Sequence, residues 1–68
     1  MKYTAIYEPT GTGYSAYVPD LPGCITTGST LEQTRHRMAE AIAFHLDGLR
    51  RHGHPVPEPV TVAETVEV

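Results

Sequence analysis

The sequence predicts an α+β fold in the order β-β-β-α-β: a three-stranded antiparallel sheet, one covering helix and a C-terminal strand. Three observations carry this expectation. Short stretches near both ends of the chain alternate apolar and polar residues with the period of two that a half-buried strand requires. One stretch in the middle repeats its apolar residues at helical spacing. Clusters of proline and glycine separate these stretches and end regular pairing where they fall. At 68 residues the chain has room for one domain, residues 1–68, because a second core would leave each too small to close.

From Lys2 to Glu8, Tyr3, Ala5 and Tyr7 share one face while Lys2, Thr4, Ile6 and Glu8 share the other, which makes the first strand. Pro9-Thr10-Gly11-Thr12-Gly13 supplies hairpin chemistry: a proline that cannot donate to a ladder, and two glycines that tolerate positive φ. Tyr14, Ala16 and Val18 then alternate with Ser15 and Tyr17 as strand two, ended by Pro19-Asp20-Leu21-Pro22-Gly23. Cys24 to Thr27 makes a short third strand, broken at Gly28. Ser29-Thr30-Leu31-Glu32 fits an S/T-x-x-E capping box, in which hydroxyl and carboxylate satisfy each other's end-of-helix amides.

The helix is expected from about Thr30 to His52, with Leu31, Met38, Ile42, Leu46 and Leu49 on one stripe. Arg50, Arg51 and His52 complement the exposed carbonyls of the last turn, and Gly53 supplies the stop. His54 to Pro59 is too proline-rich for helix or central strand and reads as an extended crossover. Val60 to Val68 alternates again, with valines at even positions and Glu64 as a break in the row; this is the predicted last strand. Tyrosines of strands one and two, and Phe44 on the helix, fall where the helical stripe does not obviously reach, a pattern that suggests an interface.

Eight acidic residues against five basic ones leave a formal charge of −3, which argues against general attraction to nucleic acid and for basic protein partners. Cys24 is the only cysteine, so no internal disulfide is available and a reducing, cytoplasmic setting is expected. No apolar run approaches the roughly 20 residues that cross a bilayer, and no membrane association is expected. Gly11-Thr12-Gly13-Tyr14-Ser15-Ala16 matches GxGxxA literally, but a dinucleotide site needs a helix there, where a strand is predicted. None of the four histidines forms an i, i+4 pair; His52-Gly53-His54 could hold a metal as an H-x-H pair, although a helix-end role is favoured. Cys24 has neither base nor oxyanion donor nearby in sequence and reads as a small apolar strand residue. Arg35, near the apolar stripe, is expected to lay its stem along the core edge and reach Glu8 or Glu64. No catalytic residue, cofactor or metal ligand is assigned, and the chain is expected not to be an enzyme.

The run Val18-Pro19-Asp20-Leu21-Pro22-Gly23-Cys24, followed by Gly28-Ser29-Thr30-Leu31-Glu32 and Glu40-Ala41-Ile42, resembles the HicB family of antitoxins. The likeness extends to the opening strand with Tyr3 and Glu8, to Gly13-Tyr14, and to Pro57-Glu58-Pro59 before the last strand. It implies a partial ribonuclease-H-like domain that lacks the nuclease's acidic site and that blocks a small basic RNA-cleaving toxin, HicA. Many HicB proteins carry a C-terminal DNA-binding segment that has no counterpart among these residues, so DNA binding by this chain alone is not expected. The alternative is a stand-alone small-ligand or metal-binding module with no toxin partner.

On this reading Tyr14, Tyr17, Asp20, Glu40 and Phe44 are the expected partner-binding residues: carboxylates steer a basic partner, and aromatics anchor it. Val60, Val62 and Val66 are expected to form an oligomer interface by edge pairing, giving a homodimer or larger assembly, since so small a core is helped by association.

Overall fold

The computed structural model describes residues 1–68 and contains β1 (Ile6–Pro9), β2 (Tyr14–Tyr17), β3 (Ile25–Gly28) and α1 (Leu31–Arg51). The strands form one antiparallel sheet in the order β1-β2-β3. Tyr7, Ala16 and Thr26 lie directly across from one another, as do Ile6, Tyr17 and Ile25. Because directly opposed residues share a face, one side of the sheet carries Tyr7, Ala16 and Thr26 and the other carries Ile6, Tyr17 and Ile25. The helix covers the first side. Ala16, Val18, Leu21, Cys24 and Met38 form the buried core, and Tyr3, Ala5, Tyr7, Ala41, Ile42 and Leu46 pack half-buried around it.

The expected faces of the first two strands are thus observed, and Tyr3 and Tyr7 belong to the core's margin rather than to an open surface. The Pro9–Gly13 connection differs from expectation: neither Gly11 nor Gly13 adopts positive φ. Gly13 is instead a matter of space, since a Cβ there would fall on the carbonyl of Gly28 and within 2.8 Å of Ser29 Cα.

Between β2 and β3 the chain makes two successive turns. The Leu21 N–H donates to Val18 O (3.0 Å), and the Cys24 N–H donates to Leu21 O (3.0 Å). Pro19 and Pro22 each occupy the position after the turn's first residue, where their fixed φ fits, and Gly23 takes the positive φ (86°) that the second turn demands. Val18 N–H to Cys24 O (3.1 Å) closes the loop. The result drives Leu21, with no exposed surface, into the core.

The helix starts one residue later than the capping pattern predicted. Thr30, extended at φ −129° and ψ 161°, is the N-cap, and its hydroxyl accepts the Gln33 N–H at 3.0 Å. Gln33 Oε1 reaches back to the Ser29 N–H (2.7 Å) and hydroxyl (2.9 Å). The box is therefore Thr30-x-x-Gln33, and Glu32 stays exposed. At the other end Gly53 N–H donates to Arg50 O and His54 N–H to Leu49 O, the paired bonds of a Schellman stop. His52 Nδ1 lies 2.8 Å from Gly48 O, which gives this ring a helix-end role. Thr34, absent from the predicted stripe, is fully buried with its hydroxyl donating to Thr30 O at 2.7 Å. Arg35 is exposed and makes no ion pair, contrary to expectation.

The predicted last strand is not formed. Residues 54–68 have no helical or strand structure. The segment is nonetheless tied down as far as Thr61: the Tyr3 hydroxyl donates to Pro57 O, and the Thr4 hydroxyl donates to Thr61 O at 3.1 Å. Val60 N–H (3.1 Å) and Thr61 N–H (2.9 Å) both donate to Asp20 Oδ2, and the Thr61 hydroxyl donates to Asp20 Oδ1 at 2.7 Å. These side-chain bonds hold the backbone in place of a strand ladder. Residues 62–68 beyond them are all exposed.

Candidate partner-binding surfaces

The face of the sheet that α1 leaves uncovered carries an aligned apolar row. Register places Ile6, Tyr17 and Ile25 side by side across the three strands. Tyr17 is 40% and Ile25 70% exposed, while Ile6 is half-buried. Three neighbouring side chains of this kind on one flat surface are suited to desolvation by another macromolecule, with the tyrosine hydroxyl able to pair at the rim. Tyr17 was among the expected residues; Ile6 and Ile25 were not. Their signal lies in the double turn, because once Val18 opposes Cys24, the next residue Ile25 must oppose Tyr17 and point the same way.

The remaining expected residues do not join this row. Tyr14 stands on the other face, half-buried, beside a polar cleft of roughly 430 Å³ lined by Thr10, Thr12, Thr27, Ser29 and Arg37. The Arg37 guanidinium donates to Thr27 O at 3.0 Å in this cleft. Glu40 and Phe44 occupy successive turns of α1; Phe44 is 81% exposed, and Glu40 lies 3.8 Å from the His36 ring. They form a separate patch on the helix.

Asp20 is committed to the C-terminal segment rather than to its own turn. Its carboxyl is held below the ordinary value of 3.8, chiefly by the Thr61 backbone N–H, then by the Thr61 hydroxyl, with partial burial opposing and the Val60 N–H adding to the effect. Burial pushes the Cys24 thiol upward, which keeps it in the neutral form of a packed core residue. Val60, Val62 and Val66 are exposed, at 73%, 78% and 78%.

No group of three or more histidine, cysteine, aspartate or glutamate side chains is placed to hold a metal ion, and no helix is long and apolar enough to cross a membrane. The arrangement defines a small sheet-and-helix protein whose distinguishing exposed chemistry is apolar contact surface. Over residues 3–68 the sequence matches the family described as the HicB-like antitoxin of bacterial toxin–antitoxin systems, and the chain belongs to that family. It is 37% identical over 67 residues to a UPF0150 protein of Thermoplasma acidophilum, covering 91% of this chain and 97% of that one. An uncharacterised 14.9 kDa protein of Haemophilus phage HP1 is 36% identical over 58 residues; the match covers 85% of this chain but 44% of the phage protein. Among solved structures, a chain of a HicA3–HicB3 toxin–antitoxin complex superposes with a TM-score of 0.77 at 32% identity, covering 88% of this chain and 70% of that one.

Proposed function

We propose that this protein is an antitoxin that binds and neutralises a small RNA-cleaving toxin of the HicA type, and that it acts by occupation rather than catalysis. The observation that carries the reading is the fold-wide match to a chain of a HicA3–HicB3 complex, together with an exposed apolar row that the chain itself leaves without a partner. An RNA-cleaving toxin presents positive charge to its substrate, and a chain of net charge −3 approaches such a surface favourably. Charge of this kind raises the association rate, whereas desolvated aromatic anchors set the lifetime of the complex.

The toxin meets the open sheet face, with Tyr17 as the central anchor between Ile6 and Ile25; Glu40 and Phe44 form a secondary contact on the helix. Calorimetry against the toxin encoded beside this chain tests the placement. Tyr17→Ala costs on the order of 2 kcal/mol of affinity, and Phe44→Ala costs less. Toxin binding unchanged by both substitutions would place the interface elsewhere. Failure of the wild-type chain to suppress RNA cleavage by that toxin would refute the antitoxin reading itself.

The hydroxyl-lined cleft beside Tyr14 favours a second reading, a stand-alone module for a small polar ligand oriented by Arg37. Ligand-induced shifts of the Thr12 and Thr27 amides, in a chain that binds no toxin, would support it.

A further inference from the structure

Two glycines bring distant parts of the chain together at one end of the sheet. Gly13 closes the β1–β2 hairpin and packs on the β3–α1 junction, where a Cβ would fall on the Gly28 carbonyl and 2.8 Å from Ser29 Cα. Gly28 lies directly across from Tyr14 and packs in turn on Thr34 of the helix. Between hairpin and junction lies the open polar cleft of roughly 430 Å³, within the roughly 300–1,000 Å³ typical of small-molecule sites. Its hairpin wall is held in place, since the Thr10 N–H donates to Gly13 O at 2.8 Å and the Thr12 N–H to Thr10 Oγ1 at 3.4 Å.

The residues around this cleft include a cation and several hydroxyls but no carboxylate. Arg37 comes from the second turn of α1, and its bond from Nη1 to Thr27 O at 3.0 Å holds the guanidinium at the cleft. The other N–H groups of its fork remain free to donate. The ion pairs of α1 lie elsewhere, Glu40 beside His36 and Asp47 beside Arg51, so Arg37 is anchored without a counter-ion. Thr12 and Tyr14 carry hydroxyls that make no hydrogen bond within the protein, and Thr10 accepts one while keeping its own proton to donate. The N–H groups of Ser29 and Gln33 are taken by the helix cap. The free donors of the cleft are therefore side chains rather than a helix end.

Such a set selects an anion with several acceptor oxygens. A guanidinium fork pairs with two oxygens of a phosphoryl group and leaves the remaining ones to the hydroxyls. A carboxylate has two oxygens, which the fork alone would satisfy. The net charge of −3 opposes any anion at a distance, but that repulsion is screened over about 8–10 Å, and at contact the only charge among the lining residues is positive. The cleft is also larger than one ion needs, and the half-buried Tyr14 offers a wall against which a small polar group can lie.

We propose that this cleft binds the phosphoryl group of a small phosphate monoester. Arg37 takes two of its oxygens, Thr10 and Thr12 donate to the others, and the esterified group lies along Tyr14. The inference rests on the reading of the cleft as a ligand site and not on the toxin reading. Tyr14 and the row of Ile6, Tyr17 and Ile25 stand on opposite faces of the sheet, so a ligand in the cleft leaves the open face free.

Titration of the full chain with inorganic phosphate, ribose 5-phosphate and ribose at constant ionic strength, followed by amide and arginine side-chain resonances, tests it. Both phosphates shift Thr12, Gly28, Ser29 and the Arg37 side chain saturably, the ester binds more tightly than the free ion, and ribose causes no shift. Arg37→Gln keeps a donor for Thr27 O but loses the charge and the fork, and it weakens both phosphates about tenfold. Should that variant fail to fold by circular dichroism, Arg37→Lys decides, since it keeps the charge without the fork and weakens binding several-fold. Saturable binding of ribose without binding of either phosphate retains the cleft as a ligand site and overturns the phosphoryl assignment. No saturable binding of any of the three overturns both. Phosphate shifts centred on Arg50, Arg51 and His52, or undiminished affinity in the folded Arg37 variant, also overturn the proposal.

Discussion

Asp20 shows how one side chain can do the work of a strand ladder. Its carboxylate accepts two backbone N–H groups and a hydroxyl from Val60 and Thr61, so its protonation is linked to attachment of the C-terminal segment. The folded-state pKa is depressed; the stabilisation is therefore complete at neutral pH and is lost as pH falls below the ordinary carboxylate range and through the folded value. The Val60 and Thr61 amide shifts should move together over that acidic window, and Asp20→Asn should abolish the movement. Unchanged shifts in the wild-type chain would show that the carboxylate does not hold the segment. Two further positions are sensitive because the core is small. Leu21→Ala removes the largest fully buried side chain and should cost about 2–5 kcal/mol in urea unfolding. Gly28→Ala would put a Cβ against the Thr34 hydroxyl and 2.9 Å from its backbone N, and the clash should cost about 1–3 kcal/mol. A neutral result at Gly28 would mean that α1 can slide outward on β3.

At the scale of elements, what was legible followed from periodicity, and what was not followed from contacts between distant segments. Alternation in residues 2–8 and 14–18 assigned the helix-facing residues of both strands correctly, because a slip of one residue would expose Tyr7 and Ala16 together. The helix was read to within a residue at each end. Its cap was misplaced because Ser29 and Thr30 are both competent hydroxyls, and Glu32 and Gln33 are both competent N3 partners. Register is settled by Thr34, which must lie on Gly28 and which local sequence does not mark as buried. Thr30→Ala should thus destabilise by about 1 kcal/mol, whereas Glu32→Ala should be nearly neutral, as read by denaturant midpoints. The reverse order would restore the Ser29 box. The last strand was the largest misreading: Val60 to Val68 has the composition of a strand, but composition cannot supply the partner that makes one. The partner-binding set was only partly legible for the same reason. Tyr17 was found by type, whereas Ile6 and Ile25 needed the register across three strands.

On the scale of the whole molecule, six buried residues are a small core for a chain that must order 68, so association should contribute visibly to stability. The melting temperature of the isolated chain is expected to rise with protein concentration and to rise further on saturation with toxin. A melting temperature independent of concentration would indicate that the three strands and one helix are sufficient alone. Raising ionic strength should slow toxin association, where charge acts, as read by surface binding at two salt concentrations.

The Arg37 bond to Thr27 reaches beyond the residue that makes it. The backbone groups of Ile25 and Thr27 face outward along the β3 edge, and the guanidinium takes the Thr27 carbonyl, so a strand that approaches this edge meets a charged side chain before it meets a free ladder. Removing the guanidinium with Arg37→Ala should open the edge to pairing with the same edge of another molecule, and the predicted signature in light scattering is species whose size grows with concentration.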